Sequence, residues 1–112
     1  MSLSLREDRR DKGFLVAPIG RIDSNTSGEL ERALLARAVE PRLVVDLSGV
    51  EYVSSAGLRV FLMLARNVKA SGGTLVLCAL SASVRQVFDL AGFTTLFTVE
   101  ASTEDAFARL PS

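Results

Sequence analysis

Asp46-Leu47-Ser48-Gly49-Val50-Glu51-Tyr52-Val53-Ser54-Ser55-Ala56-Gly57-Leu58-Arg59 joins two segments of different character. Leading into it, Leu43-Val44-Val45-Asp46-Leu47 is almost continuously apolar and β-branched. A strand buried on both faces has this composition, and such strands are usually parallel. Leading out of it, Leu58 to Ala70 predicts a helix whose Val60-Phe61-Leu62-Met63-Leu64-Ala65 run is apolar all round. A helix lying on a core needs only an apolar stripe. A buried strand feeding a buried helix belongs to a βαβ unit, so this stretch points to an α/β fold. The loop between them delivers two serines and a glycine to the helix start.

The elements on either side extend that reading. Ser2-Leu3-Ser4-Leu5-Arg6 alternates polar and apolar, as a half-buried strand does. Arg9-Arg10-Asp11-Lys12-Gly13 reads as a solvated turn, and Phe14 to Gly20 as a second strand antiparallel to the first. Pro18 lacks an amide donor and implies an edge or a bulge there. Asp23-Ser24-Asn25-Thr26-Ser27-Gly28-Glu29 is rich in capping side chains, with Thr26 and Glu29 at capping-box spacing. Leu30, Ala33, Leu34 and Ala38 then mark an amphipathic helix that Pro41 stops.

Thr74 to Ala79 predicts another buried strand, with Cys78 as a small core residue. Ser81 or Ser83 caps a third helix carrying Val84, Val87, Phe88 and Ala91, and Gly92 supplies its left-handed stop. Leu96 to Glu100 is a short final strand. Ser102-Thr103-Glu104-Asp105 caps a last helix, with acids where the dipole favours them. The order ββαβαβαβα implies one α/β domain over residues 1–112. Its sheet is mixed and four- to five-stranded, starting antiparallel and continuing parallel, with about four helices.

Composition narrows the function. Thirteen basic residues balance thirteen acidic ones. This argues against bulk electrostatic binding of nucleic acid or an anionic membrane. No apolar run is long enough to span a bilayer and no signal peptide is apparent, so the expected location is the cytoplasm. The chain has no His and one Cys, which removes serine–histidine catalysis and a zinc cluster. Neither a Gly-x-Gly-x-x-Gly nor a Walker-type loop is present. Serine–lysine and carboxylate chemistry are not formally excluded, but nothing is spaced for them. No catalytic residue, metal or cofactor is expected.

Loops at the carboxyl ends of parallel strands are the usual place for a site, and two can meet there. One is Asp23-Ser24-Asn25. The other is Ser54-Ser55-Ala56-Gly57, continuing into Leu58. One serine is explained by capping the helix, and Ser54 is the better placed. Gly57 inside the first turn costs about 1 kcal/mol relative to Ala. It therefore signals close approach, either by another molecule or by the neighbouring loop. Further along, Arg59, Met63, Arg66 and Ala70 share one helical face, with Leu62 and Lys69 at its margin. An apolar spot rimmed by positive charge is a candidate protein-binding surface.

Residues 46–59 resemble the signature of the STAS domain, the family of anti-sigma factor antagonists (anti-anti-sigma factors). Gly20-Arg21-Ile22-Asp23 is similar to that family's first loop motif. The resemblance extends over the whole chain in length and element order. It implies a non-enzymatic binding protein whose partner is an anti-sigma factor that is also a GHKL-type serine kinase. In this family the kinase phosphorylates a serine at the start of the second helix, releasing the antagonist, and a PP2C-type phosphatase restores binding. Many members read Asp-Ser-Ser-Gly or Asp-Ser-Thr-Gly at this point, where this chain has Ser54-Ser55-Ala56-Gly57. Ser55 aligns with the modified serine, and Ser54 is the alternative. The alternative that the resemblance allows is a non-phosphorylated accessory STAS subunit of a transport or stress-sensing complex. Nucleotide binding near the Asp23 and Ser54 loops is a further reading. Monomer and weak dimer both stay open.

Overall fold

A computed structural model describes residues 3–111. Ser2, the first residue of the predicted opening strand, lies outside them. Strands β1 (Ser4–Arg10) and β2 (Gly13–Ile22) form an antiparallel hairpin across Asp11-Lys12. Arg9 and Arg10, expected in the turn, belong to β1. Their guanidinium groups lie 4.9 Å from the ring centres of Phe14 and Phe107. These stacks hold two charged residues in extended conformation. A strand edge lined with charge also resists pairing with another chain.

Helix α1 (Ser27–Leu35) follows, then β3 (Arg42–Asp46), β4 (Val50–Val53), α2 (Ser55–Ala70), β5 (Thr74–Cys78), α3 (Ala82–Leu90), β6 (Thr98–Glu100) and α4 (Thr103–Arg109). The main sheet has the order β1-β2-β3-β5-β6, and β4 pairs with β2 alone. Every pairing after the hairpin is parallel. The mixed α/β architecture, with an antiparallel start, parallel continuation and four helices among the described residues, is the predicted one. The sheet carries six strands among these residues, and β4 accounts for the excess over five. Its residues lie in the stretch read as a loop.

Side-chain alternation along the strands separates two cores. Phe14, Val16, Leu43, Val45 and Leu77 face α1, α2 and α3. Leu15, Val44, Val76 and Cys78 face Ala106, Phe107 and Leu110 at α4. The continuous apolar run of β3 follows directly, because both of its faces are covered.

Pro18 sits between the part of β2 that pairs with β3 (Phe14–Val16) and the part that pairs with β4 (Gly20–Ile22). Its missing donor falls where the neighbouring strand changes. The expected bulge lies slightly further on, between Gly20 and Arg21. Helix α1 ends at Leu35 and unwinds through turns before Pro41 is reached. Ser81 and Ser102 cap α3 and α4 as their sequences imply. Gly92 takes a φ of 76° just beyond α3. Beyond it a 3-10 turn (Phe93–Thr95) sets Phe93 edge-on to Phe88, and Leu96 and Phe97, predicted to open the last strand, lie in a turn and bend ahead of β6.

Candidate functional site

The two predicted loops do meet, and backbone hydrogen bonds bring them together. Strand β2 runs beyond its pairing with β3 and takes β4 as a new partner. The Gly20 amide donates to the Gly49 carbonyl at 2.9 Å, and the Ser54 amide donates to the Ile22 carbonyl at 2.8 Å. The second bond ties the residue before Asp23 to the residue before α2.

The Asp23 loop is fastened by a hydroxyl that sequence reasoning assigned to another task. Thr26 is 4% exposed. Its Oγ1 donates to the Arg21 carbonyl at 2.7 Å and accepts from the Asp23 amide at 3.0 Å. It therefore makes no capping bond to α1, and the expected capping box with Glu29 does not form. The Asp23 carboxylate instead closes the loop just ahead of the helix, accepting from the Asn25 and Thr26 amides at 2.9 and 3.2 Å. An Asx turn of this kind is a routine use of Asp ahead of a helix. Ser24 and Asn25 are left exposed at the tip.

At the start of α2 the two serines have different environments. Ser54 is half-buried, and its Oγ accepts from the Gly57 amide at 3.3 Å. It is the N-cap, with the extended backbone that role requires. Ser55, the first residue of the helix, is exposed, and its hydroxyl makes no hydrogen bond among the described residues. An anion placed on it would sit at the positive end of a 16-residue helix. Ala56 is half-buried beside it.

Gly57 and Leu58, counted from sequence among the residues facing a partner, point inward instead. A Cβ on Gly57 would come within 2.5 Å of Ile22 Cγ2 and 3.0 Å of Val53 Cγ1. The glycine lets the first turn of α2 lie directly on the ends of β2 and β4, and tight packing is the reason for it. Leu58 joins the larger core at 9% exposure.

Along α2 the apolar run resolves into two faces. Val60, Phe61, Leu64 and Val68 are buried, Leu62 and Met63 are half-buried, and Arg59 and Arg66 are exposed. Met63 thus stands partly open beside two cations, as the helical wheel predicted. Sequence reasoning missed the neighbouring strand surface. There the Arg21 guanidinium lies 4.5 Å over the Tyr52 ring and its Nε is 3.9 Å from an Asp23 carboxylate oxygen. Ile19 and Tyr52 are 47% and 40% exposed. No local pattern announces this stack, because it depends on the pairing of β4 with β2.

Comparison with known proteins agrees with this fold. The STAS domain family model matches residues 4–106. BtrV of Bordetella bronchiseptica, provisionally named an anti-sigma factor antagonist, is 41% identical over 109 residues, covering 95% of this chain and 93% of that protein. The crystal structure of an anti-sigma factor antagonist from Mycobacterium paratuberculosis superposes with a TM-score of 0.89 at 26% identity, covering 96% of this chain and 93% of that one. SpoIIAA, a Bacillus cell fate determinant solved in its phosphorylated form, shares the fold at a TM-score of 0.72 and 16% identity, covering 95% and 98%. With a family match over nearly its whole length and a relative of this identity, the chain belongs to the STAS domain family.

Proposed function

We propose that this protein is an anti-sigma factor antagonist that acts by binding and not by catalysis. Its partner is an anti-sigma factor that is also a GHKL-type serine kinase. Phosphorylation of Ser55 releases the partner, and a PP2C-type phosphatase resets the switch. The observation that carries this reading is the division of labour at the start of α2. Ser54 is held by the Gly57 amide, whereas Ser55 is exposed and uncommitted. Of the two candidate serines, only Ser55 can be modified without removing the cap.

The physics of the switch follows from that position. A phosphoserine adds about −1.5 to −2 charges. In the isolated domain the helix amides and dipole accept an anion there, so the fold persists. Against a docked partner the same group is crowded and desolvated. A coupling of ~3 kcal/mol is enough to weaken binding more than a hundredfold. The contact surface comprises Asp23, Ser24, Asn25, Ser55 and the exposed side of α2 at Arg59, Met63 and Arg66. The names of the related proteins support the class of partner.

The test is titration of the cognate anti-sigma factor with wild-type, Ser55→Ala and Ser55→Asp proteins, with circular dichroism to verify folding. Ser55→Ala should bind like wild type, and Ser55→Asp should lose at least about tenfold in affinity. Mass spectrometry after incubation with the kinase and ATP should place the phosphate on Ser55. Equal binding by both folded variants, with no phosphate incorporated, would refute the switch and leave the accessory-subunit role.

A further inference from the structure

The second half of α2 forms one wall of an open groove of about 540 Å³ that none of the site residues above accounts for as a whole. Leu62 lines it from the helix, Leu75 from β5, and Leu96 and Phe97 from the segment before β6. Leu96 remains 63% exposed, an unusual position for a large apolar side chain. Arg66 and Lys69 stand along the same wall, both exposed. No acidic residue lines the groove. Neither cation forms an ion pair among the described residues, in contrast to Arg37, which is paired with Glu7 and Glu40.

We propose that this groove docks an acidic amphipathic helix supplied by a partner protein. Leu62, Arg66 and Lys69 stand at i, i+4 and i+7 on α2, two turns that extend about 10 Å. An amphipathic helix laid in a groove uses the same spacing for its anchors. Its apolar face meets Leu62, Leu75, Leu96 and Phe97, and its acidic edge meets the two uncompensated cations. Such complementarity chooses among partners and speeds their encounter. The open shape favours a helix over a small amphiphile. A small ligand needs most of its surface enclosed, whereas a helix needs one face covered. A second copy of this chain is a poor occupant, because its helix with a double-acidic first turn, α4, is already packed on the opposite face of the sheet.

The surface goes beyond the serine switch. Arg66 is eleven residues from Ser55, about 16 Å along the helix. Docking here is therefore expected to persist when Ser55 carries charge, so that this helix-bearing protein, distinct from the anti-sigma factor, keeps a hold that phosphorylation does not break.

The test needs no kinase. Isotope-labelled protein is titrated by NMR with two synthetic helical peptides of identical leucine pattern, one flanked by glutamates and one by lysines, and separately with sodium laurate. The glutamate peptide should shift amides of residues 62–75 and 96–98, with at least about tenfold tighter binding than the lysine peptide. Arg66→Glu with Lys69→Glu, both at exposed positions where folding is little affected, should reverse that order. Ser55→Asp should leave it unchanged. Shifts confined to other regions, equal response to both peptides, preferential binding of laurate, or the same shifts produced by concentrating the protein alone would each overturn the proposal. Failure of the serine switch leaves all of these readouts intact.

Discussion

Replacing Gly57 by alanine tests the packing argument most sharply, because two known effects act in opposite directions. On helix propensity alone the substitution should stabilise by up to about 1 kcal/mol. Packing opposes it. The new methyl would stand 2.5 Å from Ile22 Cγ2 and 3.0 Å from Val53 Cγ1, about 1 Å inside ordinary carbon contact distance. Neither neighbour can yield cheaply. Both are β-branched and stiff at χ1, and Ile22 is fully buried. Overpacking of this kind costs about 1–3 kcal/mol. The balance predicts that Gly57→Ala destabilises by roughly 1–2 kcal/mol, read as a lower urea midpoint at unchanged slope. A double-mutant cycle isolates the cause. Ile22→Ala alone should cost about 2–5 kcal/mol, but in that background Gly57→Ala should become neutral or stabilising. The coupling should reach about 1–3 kcal/mol. A wild-type-like or more stable Gly57→Ala protein would refute the reasoning and return Gly57 to the partner-facing set.

Four further substitutions follow from the structure. Ser54→Ala removes the cap on the Gly57 amide and should lower stability by about 1 kcal/mol. The adjacent Ser55→Ala should stay within about 0.5 kcal/mol of wild type, so urea melts of the pair separate cap from switch. Thr26→Val keeps the shape but strands the Arg21 carbonyl and the Asp23 amide. It should cost about 1–3 kcal/mol and accelerate hydrogen exchange at Asp23. Burial, reinforced by the Asp46 carboxylate, pushes the Cys78 thiol up from 9.0 to about 12. Between those values the unfolded chain has lost a proton that the native state retains. Stability should therefore fall as pH rises through that window, by at most about 1.4 kcal/mol per pH unit. Denaturant melts of wild type against Cys78→Ala should show that slope only in the wild type.

The legibility of the fold differed from element to element for physical reasons. Leu43 to Leu47 could be read at once because burial on both faces leaves a run that is apolar at every position but Asp46. Strand β4 could not. Its burial pattern is buried-exposed-exposed-buried, and the bulge opposite it between Gly20 and Arg21 breaks the register. The period of two that identifies a strand is therefore absent. Thr26 and Glu29 satisfied the capping-box spacing, yet the Arg21 carbonyl and the Asp23 amide claimed the hydroxyl. That competition arises only once β2 has delivered residue 21 to the loop. At Gly57 the sequence signalled close approach without saying by what, and only the distance to Ile22 decides. The groove joins Leu62 to Leu96 across more than thirty intervening residues, so no local window contains it.

These features bear on why a charge at Ser55 would act as a switch without refolding the domain. The neighbouring Asp23 loop is held by Thr26, the cap by Ser54, and the first turn by the contact of Gly57 with Ile22. Three independent constraints thus fix the backbone around one free hydroxyl. A packed segment of this kind does not deform continuously under a small perturbation, and a negative charge at a helix N-terminus is itself stabilising. Under the proposed mechanism the phosphate therefore has no conformational route by which to act within the domain. Its effect has to be expressed in the complex, through repulsion and desolvation against the partner. Phosphorylated and unphosphorylated forms should accordingly give superposable amide spectra outside the Asp23 and Ser54 loops, while differing by orders of magnitude in partner affinity. A spectrum that changed across β3 and β5 on phosphorylation would show that the switch works through the core, and the clamped-loop argument would then fail.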